Sequence, residues 1–154
     1  MKIQIIQVGG VSGSGDFEKR LRGFCDLDVK VLKGVSGGSS GKPREKVIEE
    51  DSRGVLGAIE KACCDGAFVV VLDEKGEDMS SVEFSGFLGG LKDEGRSLVF
   101  VIGGAFGLSD EVKALGDRRI RLSKMTLTHL MTKELLLEQI YRGFCILNGK
   151  EYHY

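Results

Sequence analysis

Two stretches of the 154-residue chain, AFVVVL (residues 67 to 72) and SLVFVIGG (97 to 104), are unbroken apolar runs that stop at a charge or at paired glycines. Runs of this length without alternation fit strands buried on both faces, the pattern of a parallel sheet covered by helices on either side. The remaining chain agrees with that frame. KIQIIQV (2 to 8) and residues 26 to 32 alternate as further strands, and residues 118 to 124 read as a fifth, short one. Between them, helical spacing links Phe17, Leu21 and Phe24, then Val47, Val55, Ile59 and Ala62, then Val82 to Leu91. The longest helical pattern runs from Leu130 to the stop at Asn148-Gly149. Strand and helix thus alternate throughout, which predicts an α/β fold with a mainly parallel sheet, helices on both faces, and ligands beyond the carboxyl ends of the strands.

The length suits one domain, residues 1 to 154, with a core that needs neither disulfide nor metal. Cys25, Cys63, Cys64 and Cys145 have no CxxC spacing, so reduced thiols are expected. The segment before Gly9 is too short for a signal peptide, and no run nears the roughly 18 residues of a membrane span, so the expectation is a cytoplasmic protein without membrane contact. A net charge of −1 gives no general attraction to nucleic acid. Any RNA contact must be local, with Lys19, Arg20 and Arg22, or Arg118, Arg119 and Arg121, as candidates that could equally be solvated faces. Residues 34 to 43 form the one loop expected to be flexible.

Glycine, with 23 copies against a single proline, is the compositional anomaly. Neither phosphate-binding motif it invites is present. GGVSGSGD never gives GxGxxG in register, and GGSSGKP sets Pro43 where a Walker loop needs Ser or Thr. Only two histidines exist, and no ligand-spaced cluster surrounds them, so no metal site is expected. The runs Glu49-Glu50-Asp51 and Asp73-Glu74 read as solvated faces or turns.

Three blocks carry a resemblance: VVVLDEKGEDMSS (69 to 81), FVIGGAFGLSDEV (100 to 112), and RLSKMTLTHLM with LLLEQIYRGFCI (121 to 131 and 135 to 146). Together with the Tyr152-His153 ending they are similar to the RlmH family, SPOUT-class methyltransferases that use S-adenosylmethionine to methylate N3 of a pseudouridine in large-subunit ribosomal RNA. The resemblance implies a trefoil knot in the C-terminal half, a cofactor held bent in that knot, and an active site completed across a homodimer. By position it assigns cofactor contacts to Leu72, Gly103, Leu122, Ser123, Lys124, Met125, Thr126 and Leu127. Glycine backbone and apolar side chains suit a flat adenine and a sulfonium that tolerates no fixed cation nearby. A side chain at Gly103 is therefore expected to fill the adenine slot. For Gly103, Gly104 and Gly107 the alternative is a helix-entry turn needing positive φ, and for Leu72 plain core.

Methylating an imide nitrogen requires its proton to leave, so a base is expected, with His129 first and His153 second. Arg142 belongs either beside the RNA at the subunit interface or in a salt bridge with Glu138 one turn away, and Tyr152 could stack on a base. The chain departs from the family pattern at Gly10, where a Lys is usual, at Thr128, where a Pro is usual, and at Lys133 in place of an Arg, which a lysine cannot match in bidentate contact to phosphate. The expected substrate is the assembled ribosome, since so small a domain has no separate RNA-recognition module. The alternatives are a SPOUT methyltransferase for another RNA site and a catalytically silent ribosome-associated binding protein.

Overall fold

A computed structural model describes residues 1–10, 15–35, 41–62 and 66–152. Among the described residues ten elements alternate: β1 (Lys2–Val8), α1 (Asp16–Leu21), β2 (Asp26–Leu32), α2 (Arg44–Ala62), β3 (Phe68–Asp78), α3 (Ser81–Asp93), β4 (Leu98–Ile102), α4 (Asp110–Leu115), β5 (Arg118–Arg121) and α5 (His129–Leu147). The five strands form one sheet in the order β2-β1-β4-β3-β5, and every neighbouring pair is parallel.

Strand alternation divides the core in two. Ile3, Ile5, Val70, Phe100 and Ile102 pack with Leu21, Phe84, Leu88, Leu136, Ile140 and Phe144 from α1, α3 and α5. On the other face Ile6, Val8, Val69, Val71, Val99 and Val101 meet Val55, Ile59 and Val112 from α2 and α4. Helices therefore cover both faces, and the apolar runs of β3 and β4 are buried on both sides as their composition requires.

Local chemistry sets the element ends. Ser80 and Glu83 form a reciprocal capping box at α3, the Ser80 hydroxyl accepting from the Glu83 N–H while the Glu83 carboxylate accepts from the Ser80 N–H at 2.7 Å. Thr128 caps α5 by accepting from the Met131 N–H, which gives this departure from the family pattern a local role. Gly143 lets α5 approach α3 closely, since a Cβ there would lie 2.8 Å from Leu88, and its carbonyl accepts from the buried Ser85 hydroxyl at 2.9 Å.

β3 is longer than its apolar run suggests. After pairing Leu72 with Ile120 it bulges through residues 73 to 76 and rejoins β5 at Glu77 and Asp78. Cys25 and Cys145 are buried free thiols, and burial pushes Cys25 up to about 11. Cys63 and Cys64, and residues 36 to 40 of the glycine-rich loop, lie outside the described residues.

Gln7 is the one residue whose buried side chain has both polar atoms without a hydrogen-bond partner among the described residues. Its amide nitrogen stands 2.6 Å from where a Cβ on Gly10 would be, and Gly10 has φ +93°. Glycine at position 10, where the family pattern has Lys, therefore accommodates both the Gln7 amide and a left-handed turn. An unsatisfied buried amide is destabilising, so Gln7→Met, which keeps the shape, should stabilise by about 1 kcal/mol and raise Tm by about 3 °C. A fall in Tm on thermal melting would mean that the amide has a partner after all.

Candidate active site

Beyond the carboxyl ends of β3, β4 and β5 lies a cleft of about 610 Å³. Its walls are the bulge Leu72 to Lys75, the turn from Ile102 to Leu108, and the β5–α5 loop with Leu122, Ser123, Met125, Thr126 and Leu127, closed by His129 at the start of α5. The volume falls in the range of small-molecule sites. Leu72, Gly103 and five of the six loop residues assigned by resemblance thus line one cleft, while Lys124 is exposed and outside the lining.

The glycine turn is held from two directions. The Gly107 N–H donates to the Gly104 carbonyl at 3.0 Å, and Gly107 has the positive φ, +83°, that such a turn needs. A Cβ on Gly103 would lie 2.9 Å from Leu108 Cγ and 3.1 Å from the Gly107 carbonyl carbon. The expectation that a side chain there fills an adenine slot therefore gives way to a different cause, because the glycine is needed for the turn to pack on itself. Gly103→Val should displace the turn and lower Tm by about 5 °C on thermal melting; an unchanged Tm would mean that the turn has room for the side chain.

From the other side, the buried Asp51 of α2 accepts the Val35 N–H at 2.8 Å, and a Cβ on Gly104 would come within 2.6 Å of its second oxygen. Ser52 accepts from the Ser109 N–H at 2.9 Å, just before α4. Of the run expected to be solvated, Glu49 and Glu50 do face solvent in ion pairs with Arg53 and Lys42, but Asp51 does not. Its placement on the Val47, Val55, Ile59 stripe of α2 was the available signal, masked by the charges beside it.

Two of the wall cations are matched by carboxylates. Asp73, expected in a solvated turn, has a buried side chain joined to Lys113 at 3.2 Å. Burial raises its pKa, but the Lys75 N–H and Lys113 outweigh this and hold it below the ordinary carboxylate value. Arg121 is bound to Asp78, with Nε donating to the carboxylate at 2.8 Å, and Arg118 is bound to Glu77 at the same distance. Arg20 is spent likewise on Asp16. Three of the six arginines and lysines considered for RNA contact are therefore paired within the chain, whereas no ion pair engages Lys19, Arg22 or Arg119 among the described residues.

The half-buried His129 imidazole turns toward the β1–α1 connection, with Nε2 3.8 Å from the place of a Cβ on Gly9. Lys133, one turn on, is not a surface cation: it is 3% exposed, with Nζ 3.4 Å from Glu18 and 3.7 Å from Glu134. Arg142 and Tyr152 lie elsewhere. Thirteen residues of helix separate Arg142 from His129, about 20 Å at 1.5 Å per residue. There Arg142 donates to Glu138 at 2.6 and 3.0 Å and to the Tyr152 carbonyl at 3.1 Å. Its guanidinium covers the Tyr152 ring at 4.8 Å, and Tyr141 meets that ring edge-on. Burial and then the Glu138 carboxylate raise the Tyr152 phenol above its ordinary value. His153 lies outside the described residues.

The family model described as "Predicted SPOUT methyltransferase" matches residues 1–153. Proteins named "Ribosomal RNA large subunit methyltransferase H" align from end to end: 40% identical in Thermotoga sp. (strain RQ2), covering 100% of both chains. The chain belongs to the RlmH family of SPOUT methyltransferases. Its relative in Geotalea daltonii (strain DSM 22248 / JCM 15807 / FRC-32) is 37% identical over 100% of both chains, and that in Geobacter sp. (strain M21) is 36% identical over 100% of this chain and 99% of its own. Within this RlmH-family chain no helix among the described residues is long and apolar enough to cross a membrane, and no group of metal-ligating side chains occurs among them.

Proposed function

We propose that the chain, a single domain, methylates N3 of a pseudouridine in large-subunit ribosomal RNA, with S-adenosylmethionine as methyl donor. The observation that carries this reading is the cleft at the strand ends, walled by residues 103 to 107 and by the 122 to 127 loop in a methyltransferase family. Its fit to the cofactor is chemical: glycine backbone for a flat adenine, Leu72 and Leu122 for apolar contact, and two of the wall cations, Lys113 and Arg121, neutralised by Asp73 and Asp78, with Arg44 at the rim. When bound, the cofactor supplies an electrophilic methyl group. The knot of the C-terminal half belongs to the same reading.

The imide proton of the target base must leave, and the His129 imidazole at the end of the cleft is the first candidate to take it. His153 is the second. Arg142, with Tyr152 against it, stands about 20 Å along α5 from His129, too far to serve this chain's own cleft, which favours a homodimer in which the two serve the cleft of another copy. Leu130 and Met131 at the start of α5 and Met125 in the loop are exposed apolar side chains suited to such a contact. The assembled ribosome in the cytoplasm is the proposed substrate, the relatives being named for large-subunit ribosomal RNA.

The deciding measurement is methyl transfer from labelled S-adenosylmethionine to ribosomes with and without the pseudouridine. Transfer only to the former is expected; equal transfer to both would move the target to another RNA site. A protein that binds neither S-adenosylmethionine nor S-adenosylhomocysteine in calorimetry would instead be a silent ribosome-binding member of the family. His129→Ala should lower kcat by about 10²-fold or more.

A further inference from the structure

At the rim of the cleft, Phe106 occupies the tip of the Gly104–Gly107 turn, half-buried and in neither hydrophobic core. Arg44, the first residue of α2, lies with its guanidinium carbon 5.6 Å from the centre of that ring. Both residues line the cleft. Arg44 is exposed and, unlike Arg118, Arg121 and Lys113, is bound to no carboxylate among the described residues.

A flat apolar ring on a solvent-facing turn, beside a cation with no carboxylate partner among the described residues, suits a flexible polyanion that carries flat bases. Unstacked nucleotides of RNA are bound by stacking on aromatic rings and guanidinium planes, and arginine holds phosphate in a bidentate way. The methyl donor offers that cation a single carboxylate beside its own sulfonium, whereas an RNA strand offers a phosphate at every nucleotide. We propose that Phe106 and Arg44 form a platform for the ribosomal RNA strand, the ring stacking on a base at the mouth of the cleft and the guanidinium holding an adjoining phosphate. This rests on the methyltransferase reading given above and adds to it the residues that grip the substrate strand.

The test uses the full chain with Phe106→Leu, which keeps apolar bulk but removes the flat face, and with Arg44→Gln. Three quantities are read: binding to large ribosomal subunits across a salt series, KM and kcat for methyl transfer to them, and calorimetric affinity for S-adenosylhomocysteine. Phe106→Leu should weaken subunit binding and raise KM about tenfold. Arg44→Gln should weaken binding severalfold and flatten the dependence of log affinity on log salt by roughly 0.7 to 0.9. S-adenosylhomocysteine affinity should fall by less than subunit affinity does, and kcat should fall by less than KM rises. Loss of S-adenosylhomocysteine affinity with subunit binding unchanged would make the pair a wall of the cofactor site and overturn the platform, as would two variants that bind subunits like wild type. If the wild-type chain transfers no methyl group, the enzymatic reading fails separately, and subunit binding still decides the platform.

Discussion

Gly76→Ala is expected to destabilise the protein by about 3 kcal/mol or more, lowering Tm by about 8 °C. The reason lies in the bulge of β3, where Leu72 and Glu77 both stand opposite Ile120 and the four residues between them loop out. A Cβ on Gly76 would lie 2.6 Å from the carbonyl carbon of Ile120, 2.7 Å from its nitrogen and 2.8 Å from the carbonyl carbon of Arg119. These are backbone atoms of the neighbouring strand, which no rotamer change can move aside. Relief requires β5 to shift, and β5 leads directly into the loop that walls the cleft, so affinity for S-adenosylhomocysteine should fall together with stability. Gly86→Ala is the matched control: a Cβ at that exposed position in α3 meets nothing within 4 Å, and alanine should stabilise the helix by about 0.5 to 1 kcal/mol. A Gly76→Ala protein melting at the wild-type temperature would show that the bulge has room the geometry denies.

Glu18→Ala should cost about 3 kcal/mol, far more than loss of a surface ion pair. Lys133 is held between α1 and α5, its side chain 4% exposed and that of Glu18 15% exposed, with the nitrogen 3.4 Å from the Glu18 carboxylate. Removing the carboxylate leaves a desolvated ammonium facing only Glu134 at 3.7 Å. Lys133→Met, by contrast, removes the charge along with the need for a partner and should lie within about 1 kcal/mol of wild type. The double variant should recover most of the Glu18→Ala loss, since the two residues act as a pair. Chemical denaturation of the four proteins decides the matter. A Glu18→Ala cost of about 0.5 kcal/mol would mean that Glu134 alone satisfies the lysine.

That pair also marks a boundary of what the sequence discloses. Position 133 stood out through a family pattern that associates it with phosphate, yet burial in the groove between α1 and α5 withdraws the lysine from any RNA. Periodicity carried the elements well where apolar residues supply it: residues 2 to 8 and 26 to 32 are strands with those bounds, and α5 begins one residue before Leu130. It failed where the chain is polar. The second half of β3, DEKGED, has no apolar alternation, and its pairing rests on a bulge that depends on the approach of β5. The first turn of α2, Arg44 to Lys46, is entirely charged and carries no apolar mark of where the helix starts. In the cleft, motif positions gave the wall residues, but the groups that steady those walls were not legible. Asp51 looks like its exposed neighbours Glu49 and Glu50, and only its contact with the 34 to 35 segment and the glycine turn distinguishes it. Phe106 likewise reads as one more apolar residue until its place outside both cores is known.

The strand order has a consequence for how the protein comes off its own ribosome. β1 is the first element made, but its register joins it to β2 on one side and, through Ile3 opposite Leu98, to β4 on the other. Emerging residues of β1 and β2 can pair early, whereas the second edge of β1 waits until two-thirds of the chain has been synthesised. The face that carries Ile3 and Ile5 is covered by α1, α3 and α5, and its cover is incomplete until α5, which follows the other nine elements, has been translated. Stable folding thus waits until α5 has been made, and arrested chains lacking α5 should remain sensitive to protease.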